Sequence, residues 1–331
     1  MNNKIKDAFR NNTYTVILFG LLIAVLALFS ALKGAAFWQV NLWKGMTMQF
    51  PEYACVALGL MFVFVSGHLD MSQVLLGNFA SIMAVNYMAS HVVEGMTDGQ
   101  VGGVIGVAIA MALGIAVVGA IINFVLVSYL NVPPVMATIA MQMVWKGLST
   151  ALTKGYAVQG VPSLYTTIGH TYIGGFLAVP VVIFLVLLVI VTSFVLNKTM
   201  FGRALYAIGG NEVSAERAGY NVKRTKFILY TVVGAVSGFI GMIRVCMESQ
   251  SIPKAMIGKE MTIIPAVILG GASIYGGEGT VFGTMVAVGI ISLVSNSMLI
   301  LGIGSYWQQF FNGLVILVGV TVSALQARRK H

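Results

Sequence analysis

Ten apolar stretches follow one another along this 331-residue chain, at 13–32, 52–66, 71–90, 101–130, 135–153, 175–196, 227–247, 262–275, 280–300 and 305–326. A helix needs about 20 predominantly apolar residues to cross the hydrocarbon of a bilayer. Only 9% of residues are charged, where a water-soluble domain carries about 25%. So few charges cannot cover a water-facing surface, which excludes a soluble enzyme. The fold class expected is an all-α polytopic membrane protein of about ten transmembrane helices.

The basic residues set an orientation. Lys4, Lys6 and Arg10 precede the first stretch. Lys198, Arg203, Arg217, Lys223, Arg224 and Lys226 crowd the interval 197–226, and Arg328, Arg329 and Lys330 close the chain. Basic loops stay cytoplasmic. Six stretches separate the first cluster from the second and four the second from the third; both numbers are even, so all three clusters fall on one side. The interval 91–100, with Glu94 and Asp98 but no Lys or Arg, suits the opposite side. The expected layout is a cytoplasmic N-terminus over 1–12, one permease domain over 13–326 and a basic cytoplasmic tail over 327–331, with both termini inside. The first apolar run is too long for a signal-peptide core and has no A-x-A site after it, so it is expected to be retained. The net charge of +9 is assigned to an anionic membrane surface, not to nucleic acid.

Several stretches are irregular. The runs 52–66 and 262–275 are short for a crossing, and 101–130 is long enough to tilt or break. Residues 37–50, with Trp38, Trp43 and Lys44, form either an interfacial segment or the start of one long helix with 52–66. Small residues at Gly102/Gly106, Gly234/Gly238 and Gly279/Gly283/Ala287 are spaced for close helix contact. Cys55 and Cys246 sit in apolar runs and are expected to pack.

Catalytic signatures are missing. Asn197 precedes Lys198-Thr199 where a phosphate-cradling glycine would stand, and no HExxH, GxSxG or CxxC occurs. No cofactor or metal is expected on the chain, and it is not expected to be an enzyme. Asp70, Arg244, Glu248 and Glu278 are the ionisable candidates for ion coupling, yet each lies at a stretch end or beside a glycine break. An ion-coupled secondary transporter of a small polar solute is the alternative function, and a non-transporting scaffold is a third that the helix breaks oppose.

Two breaks carry polar atoms and glycines: Ser66 to Gln73, followed by Asn78, and Gly270 to Gly279. Irregular backbone is tolerated at membrane depth only where it is buried or lines a cavity. His68, Asp70, Ser72, Asn78, Ser273 and Glu278 are therefore the substrate-path candidates. Asp70 is also placed to cap a helix starting near Met71, and His68 to make a structural hydrogen bond. In the basic interval, Asn211 to Ala218 predicts a short helix with Asn211 as N-cap, Glu212 in the first turn and Gly219 at C′. A short capped helix flanked by basic residues suits docking into a partner.

The stretch FGRALYAIGGNEVSAERAGYNVKRTKFILY resembles the coupling loop of the permease subunits of sugar-importing ABC transporters, the ribose, xylose and methylgalactoside group. Asn131 to Thr138 (NVPPVMAT) is similar to that family's VPPFIATL. Residues 266–283 (AVILGGASIYGGEGTVFG) are similar to its AVVLGGTSLSGGRGSVLG, and SYWQQFFNGLVILVGV to its last span. The resemblance runs over roughly residues 50–325. It implies an importer in the bacterial cytoplasmic membrane that pairs with a second permease subunit. Its solute, a small sugar or sugar-like molecule, would come from an extracytoplasmic binding protein. A separate cytoplasmic subunit would use ATP and Mg²⁺. The implied ATPase-coupling residues are Gly209, Gly210, Asn211, Glu212, Ala215 and Gly219. Residues 66–74 give a broken match to the family's GGIDLSVG, in which His68-Leu69 replaces a Gly-Ile pair and Gln73 and Leu75 disrupt SVG, and over 260–267 Thr262 replaces an acid of ELDAIAAV. Energisation is therefore expected to follow the family, while the cargo need not be a common pentose or hexose.

Overall fold

The computed structural model describes residues 13–173, 177–304, 306–310 and 313. The basic segments 1–12 and 327–331 and most of the stretch 305–326 lie outside the described residues. The rest is a helical bundle whose elements are α1 (Thr13–Lys33), α2 (Val40–Val65), α3 (Gln73–His91), α4 (Asp98–Ser128), α5 (Pro134–Thr153), α6 (Ser163–His170), α7 (Val179–Lys198), α8 (Met200–Gly210), α9 (Glu212–Arg217), α10 (Val222–Glu248), α11 (Lys259–Leu269) and α12 (Val281–Ile300). A two-stranded antiparallel hairpin pairs Tyr172–Ile173 with Leu177–Ala178. Among the described residues, five helices are long and apolar enough to cross a membrane: Leu42–Val65, Asp98–Ser128, Pro180–Lys198, Val222–Glu248 and Val281–Leu299. The chain is an all-α membrane protein.

Helix ends follow local chemistry. Thr97 and Gln100 form a reciprocal capping box at the start of α4. Asn221 accepts from the Arg224 amide to open α10, and Thr280 accepts from the Gly283 amide to open α12. Pro134 occupies the first position of α5, where its missing N–H costs nothing. At the far ends of α5 and α10, Lys154 and Ser249 take left-handed conformations that stop the helix.

The long helix α10 is the centre of the bundle, packed against α2, α3 and α4. Glycines permit this. A Cβ on Gly77 of α3 would strike the Ser237 carbonyl, one on Gly241 the Gly77 carbonyl, and one on Gly234 the Ala116 carbonyl of α4. These helices meet backbone to backbone, as apolar solvent favours for small residues. The Gly234/Gly238 spacing therefore works as expected. Gly102 and Gly106 do not: a Cβ on either meets nothing. Around this centre, α4 and α7 turn bare apolar side chains outward, Val118, Ile122, Leu187, Ile190 and Phe194 among them.

The structure settles three open points of the sequence. Residues 40–65 form one helix, α2, which carries Pro51 inside it and so joins most of 37–50 to 52–66, while Phe37 and Trp38 end a short 3-10 helix before it. The stretch 101–130 is unbroken, and its 31 helical residues extend about 46 Å, more than a bilayer core of about 30 Å, so it must tilt or protrude. The stretch 262–275 shrinks to the 11 residues of α11, because glycines from Gly270 onward end the helix. Cys55 and Cys246 are buried, as packing residues should be. The segment 154–173 gave no signal in sequence, yet α6 is fixed to α10 by the Tyr165 hydroxyl, which donates to the Met242 carbonyl at 2.9 Å.

Candidate functional site

The interval 197–226 folds as two helices, where one was expected. Thr199 accepts from the Gly202 amide at 3.1 Å and starts α8. Asn211 ends α8 with its backbone and caps α9 with its side chain, which accepts from the Ser214 amide at 2.8 Å. At the other end of α9, Gly219 takes φ +91°. Its amide donates to the Glu216 carbonyl, and the Tyr220 amide donates to the Ala215 carbonyl, both near 3.0 Å. These two bonds are a Schellman motif, and it carries the usual apolar contact, because Tyr220 packs with Ala215, Ile208 and Val222. Six residues are too few to stay helical alone. Here α9 is held at both caps and by one buried side chain, Ala215.

The rest of α9 points outward. Asn211, Glu212, Val213, Ser214, Glu216 and Arg217 are all exposed. Val213, at 58% exposure, is an apolar side chain on this polar surface that sequence reasoning did not single out. Glu212 turns back toward the bundle. Both of its carboxylate oxygens accept from Lys226 Nζ, at 2.8 and 2.9 Å, and Lys226 is itself buried near the start of α10.

Beneath α8 and α9 the two glycine breaks converge. Gly67, Gly209 and Gly276 stack backbone on backbone. A Cβ on Gly209 would collide with the Val65 carbonyl and the Gly277 amide, and one on Gly276 with Gly209 and Gly67. The Gly277 amide donates to the Val65 carbonyl at 2.9 Å, and the Tyr206 hydroxyl of α8 donates to the Gly279 carbonyl at 2.9 Å. Gly67, Gly276 and Gly277 all have positive φ, which a side chain would strain. The end of α2, the end of α8 and the link from α11 to α12 thus share one contact.

The six coupling candidates therefore separate by role. Asn211, Glu212, Ala215 and Gly219 build α9. Gly209 and Gly210 end α8 instead, with Gly209 in the glycine contact and Gly210 open to one side.

The substrate-path candidates also separate. His68 is buried, with Nδ1 3.0 Å from the Ser66 carbonyl and 3.2 Å from Ser66 Oγ. Asp70 is buried beside it. Its Oδ1 accepts from the Ser72 amide at 2.8 Å and from Ser72 Oγ at 2.7 Å. Asn123 of α4 donates to Ser72 Oγ at 2.7 Å and lies 3.5 Å from Asp70 Oδ2. Asp70 thus braces the turn before α3, which starts at Gln73, two residues later than expected. Ser273 Oγ accepts from the Tyr275 amide at 3.2 Å, and Glu278 is exposed in the same turn. Asn78 lies apart, a turn and a half into α3, where its amide donates to the Pro253 carbonyl at 3.1 Å and Ser81 meets Ser251 at 2.9 Å. A further polar cluster, Glu52 with Arg244, Glu248 and Lys259, joins α2, α10 and α11. Arg244 and Glu248 stood out in sequence; Glu52 and Lys259 did not.

A family model described as the permease component of the branched-chain amino acid transport system matches residues 43–320. The chain is similar to the ribose import permease protein RbsC of Bacillus subtilis, at 34% identity over 268 residues, 80% of this chain and 79% of that protein. It is similar to RbsC of Escherichia coli K12 at 31% over 305 residues, covering 91% and 92%. The L-arabinose transport system permease protein AraH of the same organism is 32% identical over 289 residues, covering 87% and 84%. No solved structure matches.

Proposed function

The chain belongs to the family of branched-chain amino acid transport system permease components, and from that premise we propose that it is the membrane subunit of an ABC importer for a small sugar or sugar-like solute. It is a multi-pass inner-membrane protein. The sugar class is supported by the relatives, whose names specify ribose and L-arabinose.

The observation that carries the mechanism is the doubly capped helix α9, seated on the shared contact of Gly67, Gly209 and Gly276. In this reading α9 docks into a cytoplasmic ATP-binding subunit, which supplies ATP and Mg²⁺ chemistry that the chain lacks. Asn211, Ala215 and Gly219 keep α9 rigid, and its outward face, with Val213 and Arg217, meets the partner. Glu212 ties α9 to Lys226 at the base of α10. A push on α9 then reaches α10 through that ion pair, and α2 and α12 through the glycine contact. Packed elements of this kind move as rigid bodies.

The same reading puts the 197–226 side in the cytoplasm. Counting crossings from there gives ten, with 1–12 and 327–331 also inside and 13–326 one permease domain. His68, Asp70, Ser72, Ser273 and Glu278 then lie near the inner end of the path, where backbone and hydroxyl groups can pass hydroxylated solute, and Asn78 lies farther along it. An extracytoplasmic binding protein delivers the solute, and a second permease subunit completes the path.

The test is co-purification of the chain with its ATPase subunit. Glu212→Arg and Gly219→Pro should abolish substrate-stimulated ATP hydrolysis with the chain still inserted in the membrane. Stimulation and uptake that survive both changes would overturn the docking role of α9.

A further inference from the structure

On the flank of the bundle, α7 and α12 leave an open groove of about 850 Å³ between them. Leu185, Val189 and Ser193 of α7 line one wall, and Val281, Phe282 and Met285 at the start of α12 line the other. Phe50 of α2 completes the lining farther along, since a Cβ on Gly289, about two turns beyond Val281, would stand 3.9 Å from its ring. At the opposite end are Asn197 and Lys198, the last residues of α7. Between Leu185 and Lys198 the helix rises about 20 Å.

This groove is apolar along its length and cationic at one end. Among the described residues that line it, only Ser193, Asn197 and Lys198 have polar side chains, all in the last two turns of α7, and none is a carboxylate. Ser193 is already engaged: Asn197 Nδ2 donates to its carbonyl at 2.9 Å and stands 3.3 Å from its Oγ. Lys198 is exposed and forms no ion pair among the described residues. Ile190 and Phe194, which also line the groove, are 58% and 61% exposed. Water against such side chains is unfavourable, and a sugar would find no polar partner over most of the groove. The occupant that fits is apolar for most of its length and anionic at one end.

We propose that the groove binds an anionic phospholipid, with its acyl chains along α7 and α12 and its phosphate beside Lys198. The length agrees. Half of a bilayer core of about 30 Å is about 15 Å, so a groove of about 20 Å holds the chains of one leaflet and reaches headgroup level at Lys198. A lysine there lays its stem along apolar surface and keeps its ammonium at the interface. Basic pockets between membrane helices on the cytoplasmic side attract anionic headgroups. The inference takes its leaflet from the importer reading, in which the 197–226 side is cytoplasmic, and otherwise goes beyond it. The lipid lies between two helices with ends at the coupling machinery, because α7 leads into α8 and α12 starts just after Gly279.

The test is native mass spectrometry of the full chain, delipidated in detergent and titrated with phosphatidylglycerol or phosphatidylcholine of the same acyl chains. The tightest-held lipid should be phosphatidylglycerol, preferred about fivefold, the effect of one lysine near an anionic surface. Lys198→Gln should bring that preference close to one. Lys154→Gln, which removes an exposed lysine at the end of α5, outside the groove lining, should leave it unchanged. Ser193→Trp fills the groove and should remove this lipid whichever headgroup it carries. Ile190→Trp, at an already exposed position, repeats the test should Ser193→Trp fold poorly. Equal retention of the two lipids, a preference that Lys198→Gln leaves intact or that Lys154→Gln lowers as much, or a folded tryptophan variant that keeps the lipid overturns the site. So does a dimer mass that the tryptophan variants break without any lipid preference, which would give the groove to a second copy of the chain. Binding is read on the chain alone, so its failure leaves the importer reading standing, whereas a chain that binds this lipid but no ATPase subunit sinks only the importer reading.

Discussion

Lys226 Nζ lies 2.8 and 2.9 Å from the two carboxylate oxygens of Glu212, so that the first turn of α9 is bound by both oxygens to the first turns of α10. Glu212 is half exposed, and a pair in that setting adds less than about 1 kcal/mol to stability. Its consequence is mechanical: it couples two elements that share few other contacts.

Breaking the pair should therefore separate coupling from folding. Lys226→Met should leave expression and melting temperature close to wild type and reduce ATP-driven uptake severalfold. The exchanged double variant Glu212→Lys with Lys226→Glu should recover part of that loss. Uptake assays on the two single variants and the double check the expectation, and a double variant no better than the singles would contradict it.

Adjacent glycines should respond in opposite ways. Gly209→Ala places a methyl group against the Val65 carbonyl and the Gly277 amide, neither of which can yield without moving a helix end. A destabilisation of about 1–3 kcal/mol or more is expected from such overpacking. Gly210→Ala meets nothing and should change stability by less than about 1 kcal/mol. Thermal unfolding in detergent, followed by size-exclusion, compares the two.

Asp70 should behave as a brace. Asp70→Ala leaves the Ser72 amide and hydroxyl without their acceptor in a buried turn, at a cost of about 1–3 kcal/mol. Asp70→Asn keeps an acceptor oxygen and should cost less. The measurement is yield and melting temperature beside the KM for uptake. The brace account predicts a loss of folded protein with KM unchanged in what remains, and a raised KM at normal yield would show instead that the carboxylate touches solute.

The cap of α9 gives a graded test. Asn211→Ala removes the acceptor for the Ser214 amide, worth about 1 kcal/mol. On a six-residue helix that is enough to loosen docking, so the affinity for the ATPase subunit should fall by about tenfold or less, with insertion in the membrane unaffected. Titration of the ATPase subunit onto immobilised permease reads it.

Much of this was legible in the sequence, and the physics says which parts. Apolar runs report helices because lipid leaves the backbone few alternatives, and Asn211 with Gly219 reports α9 because capping is local chemistry. Gly209 was visible as a motif residue but not as a packing residue, because its partners Val65 and Gly277 are distant in the chain. Trp38, Trp43 and Lys44 suit an interfacial segment as well as a helix, so the sequence left open the continuity that α2 shows. Glu52 and Lys259 stayed unremarked because they are about two hundred residues apart in the chain, and only the bundle brings Arg244 and Lys259 to Glu52. Arg244 and Glu248, four residues apart on one helix, were readable as a pair.

The central claim is that this bundle is driven from outside through α9. The most direct measurement is solute uptake into proteoliposomes holding the chain with its ATPase subunit and loaded binding protein, compared with proteoliposomes holding the chain alone under an imposed proton or sodium gradient. The account predicts ATP-dependent accumulation in the first and none in the second. Accumulation against a concentration gradient by the chain alone would contradict it.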